Sequence, residues 1–202
     1  GKLYWAGEYA ILEPGQLALI KAIPIYMTAE ITASDGYRLY SDMFSYSVDL
    51  RPDSSYTLIQ ETVALVEEYL TIQGIKLHPF SLDIRGKLER EGKKFGLGSS
   101  GSVVVLVIKA MLAFYGRPVD RELLFKLASA VLLKRGDNGS MGDLACIVSE
   151  DLVLYQSFDR EKVAHWLEKE DLQPVLERDW GFSIESVEPG LEFDFLVGWT
   201  KE

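Results

Sequence analysis

A segment rich in glycine and serine, near the middle of the chain, carries the residue types that bind polyphosphates. Residues 93–102 read Lys-Lys-Phe-Gly-Leu-Gly-Ser-Ser-Gly-Ser, and residues 103–108 are all apolar. The three glycines allow close backbone approach, and the apolar run predicts a buried helix whose first N–H groups are unpaired. Such N–H groups, together with the positive end of the helix dipole, bind phosphate oxygens. The segment therefore predicts an anion-binding loop with two lysines at its mouth.

The spacing of Gly96, Gly98 and Gly101 is shared by several nucleotide-binding motifs. A Rossmann fingerprint requires a buried strand directly before it, whereas residues 85–94 are rich in charge. Val103 completes the glycine-loop pattern of protein kinases, but no His-Arg-Asp or Asp-Phe-Gly follows it. A P-loop needs Lys and then Ser or Thr directly after its last glycine, which this segment lacks. These exclusions leave a phosphate loop of another family.

Two further segments accompany this loop. Residues 1–10 read Gly-Lys-Leu-Tyr-Trp-Ala-Gly-Glu-Tyr-Ala, and residues 139–145 read Gly-Ser-Met-Gly-Asp-Leu-Ala. In order and spacing, the three segments resemble the N-terminal motif, the glycine loop and the catalytic-aspartate segment of the GHMP small-molecule kinases. That family includes galactokinase and the homoserine, mevalonate and phosphomevalonate kinases. Lys94 before the loop, and Glu8-Tyr9 followed by Glu-Pro-Gly, are most similar to bacterial phosphomevalonate kinases.

The resemblance implies a role for individual residues in ATP-dependent phosphoryl transfer. By resemblance, Lys2 reaches the acceptor oxygen and the γ-phosphate, and Asp143 pairs with Lys2 and faces the acceptor. Ser140 and Lys93 are implied to bind the acceptor's phosphate, and Ser100 is the implied contact for Mg²⁺. The residues implied to bind ATP are Lys94, Gly96, Leu97, Gly98, Ser99, Ser100, Gly101 and Ser102.

The implied acceptor is (R)-5-phosphomevalonate, which ATP and Mg²⁺ would convert to 5-diphosphomevalonate on the mevalonate route to isoprenoids. A phosphomonoester has its second pKa near ~6 and is largely a dianion at neutral pH, so it needs no general base. We therefore expect Asp143 mainly to hold Lys2 and the substrate. A hydroxyl acceptor would benefit from proton removal. A mevalonate or homoserine kinase, or an inactive fragment of such a kinase, shares all three segments and is kept as an alternative.

The resemblance also implies an α+β fold, that of the GHMP kinase N-terminal domain with its ribosomal-protein-like topology, over residues 1–190. Residues 191–202 are predicted to be the first strand of a truncated C-terminal domain, because the family's third glycine-rich signature is absent from this sequence. The chain by itself is therefore expected to be inactive. In the mevalonate kinase branch, a Glu on the helix before the catalytic Asp shares the Mg²⁺. Residues 129–133 offer no carboxylate, so the magnesium ligands stay open.

The hydrophobic pattern predicts strands before helices, which favours an α+β fold over a doubly wound sheet. Strands are predicted over residues 3–12 and 17–32, separated by a Glu-Pro-Gly-Gln turn of type II. A helix capped within residues 53–55 is predicted to bury a stripe and to end at Gly74. Further helices are predicted after the phosphate loop, from Asp120 to about Arg135, and from Asp159. The buried stripe of the first helix is Ile59, Val63, Val66 and Leu70.

Composition excludes several classes of function. The formal charge of −10 argues against a nucleic-acid surface, and 48% hydrophobic with 26% charged residues is ordinary for a globular protein. A single cysteine, Cys146, excludes an intrachain disulfide, and no segment has the features of a signal peptide or membrane span. We therefore expect a cytoplasmic protein with small-molecule partners. The two histidines, His78 and His165, lack ligand spacing and are not expected to bind metal.

Overall fold

Two four-stranded sheets, a short two-stranded sheet and a layer of helices form the described structure, a computed structural model that covers residues 1–86, 89–90, 93–94 and 99–190. The strands are Lys2–Ala6 (β1), Leu17–Ala22 (β2), Thr28–Ala33 (β3), Arg38–Ser41 (β4), Ser47–Val48 (β5), Phe80–Arg85 (β6), Glu89–Arg90 (β7), Lys93–Lys94 (β8), Leu152–Gln156 (β9) and Ser183–Ser186 (β10). The helices are Thr57–Ile72 (α1), Ser99–Phe114 (α2), Arg121–Lys134 (α3), Gly142–Ser149 (α4), Arg160–Lys169 (α5) and Leu172–Glu177 (α6).

The first sheet contains strands from both ends of the described chain, which form its two opposite edges. Its strand order is β1-β2-β9-β10, and every neighbouring pair is antiparallel. The second sheet has the order β3-β6-β4-β5, in which β4 and β6 are parallel and are joined through α1. Because β9 follows α4 directly and pairs with β2, α4 packs across β2, β9 and β1. This arrangement places the start of α4 close to the start of the chain.

Helix α2 lies at the centre of the helical layer and is buried on most sides. It packs on α1 and β3 and also on α3 and α4. Its apolar composition follows from this position, since a helix that is covered all round has no solvated face to make polar. The residues of α2 that are fully buried are Val104, Val107, Ile108, Met111 and Leu112. None of the helices in the described ranges is long and apolar enough to cross a membrane.

Local signals correctly predicted several element boundaries. Asp120 caps α3 by accepting a hydrogen bond from the backbone N–H of Leu123 at 2.9 Å, and Gly136 ends that helix with φ +76°. Asp159 caps α5 in the same way through Lys162 N–H at 2.9 Å. The predicted stripe of α1 is buried. The α+β class is also confirmed.

Three predicted boundaries were wrong. The strand predicted over residues 3–12 ends at Ala6, because Gly7 has φ +80° and a 3₁₀ turn, Ala10–Leu12, follows. The strand predicted over 17–32 is two strands in different sheets, β2 and β3, separated by a segment that contains Pro24. Helix α1 begins at Thr57 with no side-chain cap. The Asp53 carboxylate instead accepts the N–H groups of two residues just before the helix, Ser55 and Tyr56.

Candidate active site

An open cleft of about 220 Å³ lies where β1, the first turn of α2 and the connection between α3 and α4 meet. It brings together residues from all three segments that carry the family resemblance. The residues that line it are Lys2, Tyr4, Ser100, Gly101, Leu132, Asp137, Gly139, Ser140, Met141 and Asp143. The sequence-predicted residues Lys2, Ser100, Ser140 and Asp143 therefore share one cleft.

Strand geometry sets the position of Lys2. Residues i and i+2 of a strand point to the same face, so Lys2 and Tyr4 of β1 both face the cleft. The ammonium of Lys2 lies 4.7 Å from the centroid of the Tyr4 ring, a cation–π contact. Among the described residues, no carboxylate lies within 4.0 Å of Lys2 Nζ. The charge of Lys2 is therefore held in place by a ring and is not neutralised by a direct ion pair with Asp143.

A hydrogen-bond network fixes Ser140 at the edge of the cleft. Its hydroxyl oxygen shares a hydrogen bond of 2.8 Å with Tyr4 Oη and accepts one of 3.2 Å from the backbone N–H of Gly142. Its carbonyl accepts a hydrogen bond of 3.0 Å from Tyr155 Oη. Burial raises the pKa of Tyr4 to about 12, so this phenol stays protonated at neutral pH. Ser140 is thus presented to the cleft in one orientation.

Asp143 lies in the first turn of α4, and its carboxylate fills the space beside Gly101 in the first turn of α2, where a Cβ would lie 2.8 Å from Asp143 Oδ2. Burial raises the pKa of this carboxyl above its ordinary value. The backbone N–H of Leu144 and the positive charge of Lys2 oppose that shift, while the charge of Asp137 adds to it. A carboxylate in this environment is stabilised by added positive charge, whether from a cation or from a lysine.

The loop between α3 and α4 has an unusual backbone. Met141, which precedes α4, has φ 62° and is buried with 1% of its surface exposed. A left-handed conformation at a non-glycine residue costs roughly 1–2 kcal/mol and persists only where the surroundings hold it. Asp137 adds a local restraint, because its carboxylate accepts a hydrogen bond of 2.6 Å from the N–H of Gly139. The loop is therefore held in a conformation that turns Ser140 and Asp143 toward the same space.

Other predicted site residues lie elsewhere or outside the described residues. Ser99 begins α2 beside the cleft, whereas Ser102 lines a separate groove on that helix with Val105, Leu106 and Lys109. The backbone of Lys93 and Lys94 forms β8, which pairs with β7. The side chains of these two lysines, and the whole of Gly96, Leu97 and Gly98, lie outside the described residues.

The cleft offers oxygen ligands and an unbalanced charge. Its described charged residues are one lysine, Lys2, and two aspartates, Asp137 and Asp143. Carboxylate and hydroxyl oxygens such as those of Asp143 and Ser100 are the type of ligand that Mg²⁺ takes, together with phosphate oxygens and water. No group of three His, Cys, Asp or Glu side chains that could hold a metal occurs in the part of the chain that the structure describes. The residues present therefore fit an ion that is shared with bound phosphates.

Two polar side chains that line the cleft, those of Tyr4 and Asp137, were not predicted from the sequence. Tyr4 could have been found, since it lies at the start of the strand predicted over residues 3–12, and an extended backbone through Lys2 places residues 2 and 4 on the same face. Asp137 stands in an Asp-Asn-Gly-Ser sequence that is typical of a turn, but nothing in that sequence indicates that its carboxylate lines a cleft.

Comparison with known proteins agrees with this architecture. Residues 57–150 match the family described as GHMP kinases N terminal domain. The structure is similar to that of Streptococcus pneumoniae phosphomevalonate kinase in complex with phosphomevalonate and AMPPNP, with 75% identity, a TM-score of 0.93 and coverage of 95% of this chain and 58% of that chain. A Lin0012 protein from Listeria innocua is 32% identical with a TM-score of 0.89, over 94% of this chain and 56% of that one.

A curated relative leads to the same family. The phosphomevalonate kinase of Streptomyces sp. (strain CL190) is 28% identical over 225 residues, which cover 100% of this chain and 60% of the relative. The chain thus spans about three fifths of the length of the relatives it matches. Three signature segments lie in one cleft, residues 57–150 match the family domain, and the fold is shared with a 75% identical kinase, so the chain contains a GHMP kinases N terminal domain.

Proposed function

We propose that this chain is the catalytic N-terminal part of a phosphomevalonate kinase that transfers the γ-phosphoryl group of ATP to (R)-5-phosphomevalonate. The observation that carries the proposal is the 75% identity, over 95% of the chain, to a phosphomevalonate kinase whose structure contains phosphomevalonate and an ATP analogue. Under the proposal, residues 1–190 form the ATP- and substrate-binding domain, and residues 191–202 begin a second domain. The reaction takes place in the cytoplasm, on the mevalonate route to isoprenoids.

In the proposed reaction, a phosphate oxygen of the acceptor forms a bond to the γ-phosphorus, and the bond from that phosphorus to the β–γ bridging oxygen breaks. ADP leaves, and 5-diphosphomevalonate is formed. Catalysis of this kind consists mainly of placing the two reactants in line and stabilising the charge on the transferring group. Lys2 supplies the positive charge for this stabilisation, because its ammonium faces the cleft and its position is restrained by the Tyr4 ring.

Asp143 positions Lys2 and bound cations and does not act as a general base. The acceptor is largely a dianion at neutral pH, since the second pKa of a phosphomonoester is near ~6. Its nucleophilic oxygen therefore carries no proton that Asp143 would have to remove. The carboxylate instead draws Lys2 and bound cations toward the reacting phosphates, which is consistent with the effect of Lys2 on the pKa of Asp143.

Ser140 binds the phosphate of the acceptor through its hydroxyl, and the phosphates of ATP lie against the start of α2. The N–H groups in the first turn of α2 and the hydroxyls of Ser99 and Ser100 can donate hydrogen bonds to anions. The positive end of the α2 helix dipole also attracts anions. Lys93 and Lys94 add the positive charge that two anionic ligands require. Ser102 is assigned to the ATP site by its place in the glycine-rich segment, while its side chain lines the neighbouring groove.

Magnesium completes the proposed charge balance. Ser100 and Asp143 are the residues that would hold it, with the remaining ligands supplied by phosphate oxygens and water. When bound, Mg²⁺ neutralises phosphate charge and orients the polyphosphate. A cleft with one lysine and two aspartates among its described residues has no surplus positive charge for ATP, so such an ion is needed.

The proposal is tested in a chimeric enzyme that joins this chain to the remaining segment of the Streptococcus pneumoniae kinase. ADP release would be measured with ATP and Mg²⁺ and with phosphomevalonate, mevalonate, homoserine or galactose as the acceptor. We expect turnover with phosphomevalonate and little with the other three. A preference for unphosphorylated mevalonate would overturn the specificity, and folded but inactive protein with all four acceptors would overturn the activity.

A further inference from the structure

Arg160 joins the loop that carries Ser140 to the 3₁₀ turn that follows the N-terminal motif, through backbone carbonyl groups. Its Nη1 donates hydrogen bonds to the carbonyl oxygens of Asn138 at 2.5 Å and Gly139 at 2.7 Å. Its Nη2 donates one of 2.6 Å to the carbonyl oxygen of Leu12. The first two carbonyls belong to the loop that carries Ser140, and the third ends the 3₁₀ turn that follows β1. One side chain outside the cleft therefore connects the loop that carries Ser140, here called the acceptor loop, to the turn that follows the N-terminal motif.

Among the described residues, Arg160 is the donor recorded for the backbone carbonyls of Leu12, Asn138 and Gly139. Backbone carbonyls in a loop need a donor from a side chain, from the backbone or from water. A guanidinium presents several N–H donors in a rigid planar fork, and its charge makes each hydrogen bond stronger than a neutral one. A lysine has a compact ammonium on a flexible stem and lacks that fork. The contacts therefore depend on arginine itself and not only on a positive charge.

Both sides of this connection are rigidly supported. Arg160 is the first residue of α5, whose N-cap is Asp159 and whose buried face packs against α3. On the other side, Ile11 of the 3₁₀ turn is buried with 1% of its surface exposed. The loop between these supports contains Met141 in its left-handed conformation. Removing the guanidinium would leave that loop without its connection to either support.

We propose that Arg160 is a positioning residue for the acceptor site: by holding the carbonyls of Asn138 and Gly139, it keeps the Ser140 hydroxyl aligned for the acceptor's phosphate. This inference rests on the proposed function. Arg160 itself does not line the cleft. It acts through the loop, and the ATP phosphates at the start of α2 do not depend on it. The defect expected on its removal is therefore specific to the acceptor.

The chain contains a matched control. Arg121 is also the first residue of a helix, is also preceded by a capping aspartate, and is also followed by a glutamate. Its guanidinium donates to one carbonyl, that of Ile184 in β10, at 3.4 Å. Arg121 does not contact the acceptor loop in the described structure. Replacing it therefore removes the same chemical group from an equivalent position without touching the site.

The first experiment measures Michaelis constants in the chimeric enzyme. In Arg160→Met we expect the KM for phosphomevalonate to rise about tenfold, as loss of a charged hydrogen bond would give, while the KM for ATP changes less than about twofold. Arg121→Met should change neither constant. Arg160→Lys, the conservative variant, should recover only part of the loss. Equal changes in both constants, no change in either, or full recovery by lysine would overturn the proposal.

The second experiment does not require the reaction. Backbone hydrogen exchange would be followed in the chain itself, at the Gly139 and Gly142 amides that donate to Asp137 and Ser140. We expect faster exchange at both amides in Arg160→Met and Arg160→Lys, and wild-type exchange in Arg121→Met. Unchanged exchange in the Arg160 variants would overturn the positioning role. If the wild-type chimera fails to use phosphomevalonate, the proposed function fails, and exchange still tests the connection.

Discussion

The carboxylate of Asp143 occupies the space that a side chain at Gly101 would need. A Cβ placed on Gly101 would lie 2.8 Å from Asp143 Oδ2 and 3.0 Å from Leu144 Cδ2, closer than side-chain carbons normally approach. Gly101 lies within a helix and is buried, so its role is this close approach and not a left-handed turn. The glycine allows the first turns of α2 and α4 to converge on the same cleft.

Gly101→Ala should therefore separate activity from stability. Alanine favours a helix by about 1 kcal/mol over glycine, which offsets part of the steric cost of the new methyl group. We expect turnover of the chimeric enzyme to fall by about 100-fold, since a displacement of about 1 Å at a reacting centre has effects of that size. The melting temperature should change little. Gly36→Ala is the control, because its Cβ would meet nothing within 4 Å. Wild-type turnover in Gly101→Ala would show that the close approach of Asp143 is not needed.

Lys2→Met should lower turnover more than Asp143→Asn does. Under the proposed function, Lys2 stabilises charge that develops on the transferring phosphoryl group, and loss of one such group typically costs about 100-fold or more. Asp143 has no proton to remove from a phosphate acceptor, so Asp143→Asn should retain more activity. The measurement is steady-state ADP release at saturating substrates, with Lys21→Met on the neighbouring strand as the control outside the cleft. A larger loss in Asp143→Asn than in Lys2→Met would indicate general-base catalysis and an acceptor that carries a proton.

Asp143→Asn should also stabilise the fold at neutral pH. Burial raises the pKa of the Asp143 carboxyl in the folded state, so ionising it there costs more free energy than in the unfolded state. This cost is absent below the ordinary pKa of the unfolded chain and grows as the pH rises through the raised pKa of the folded state. Asparagine removes it. We expect the free energy of unfolding of Asp143→Asn to exceed that of the wild type at pH 7 and to match it in acid.

Chemical denaturation of the chain at a series of pH values would measure this difference. The exposed Asp35 supplies the control, because Asp35→Asn removes a carboxylate from the surface. A variant that is less stable than the wild type at pH 7 would mean that the contacts of the Asp143 carboxylate outweigh its burial.

The sequence predicted those parts of the site that depend on short segments. Lys2, Ser100, Ser140 and Asp143 were assigned from three local motifs, and all four line one cleft. Helix α3 was bounded correctly because its cap, Asp120, and its stop, Gly136, act within a few residues of the helix ends.

The remaining features depend on contacts between distant parts of the chain. The pairing of β2 with β9 joins residues as far apart as Leu17 and Gln156, and no local pattern specifies which strands become neighbours. The left-handed Met141 has no compositional signal, since such a conformation favours glycine or asparagine. Arg160 lies at a helix start, and only the placement of α5 brings it to Leu12 and Gly139.

Tyr4→Phe tests the network that holds Ser140. The phenylalanine ring keeps the surface that faces the Lys2 ammonium at 4.7 Å, while the hydroxyl that pairs with Ser140 Oγ at 2.8 Å is lost. We expect the KM for phosphomevalonate to rise severalfold with little change in turnover, because Lys2 keeps its position and Ser140 loses one of its restraints. Unfolding should cost about 1 kcal/mol less, the usual value of one hydrogen bond.

The same Tyr4→Phe variant predicts a change at alkaline pH. Burial raises the pKa of Tyr4 from 10.0 to about 12, so the unfolded chain loses this proton first and stability falls as the pH rises from about 10 to about 12. Phenylalanine has no such proton, and the fall should be shallower in the variant.

Tyr115→Phe is the matched control, because burial also raises the pKa of Tyr115, whose hydroxyl donates to the carbonyl of His78, away from the cleft. Both variants should flatten the alkaline fall in unfolding free energy, but only Tyr4→Phe should raise the KM for phosphomevalonate. An unchanged KM in Tyr4→Phe would mean that the N–H of Gly142 and the hydroxyl of Tyr155 hold Ser140 without it.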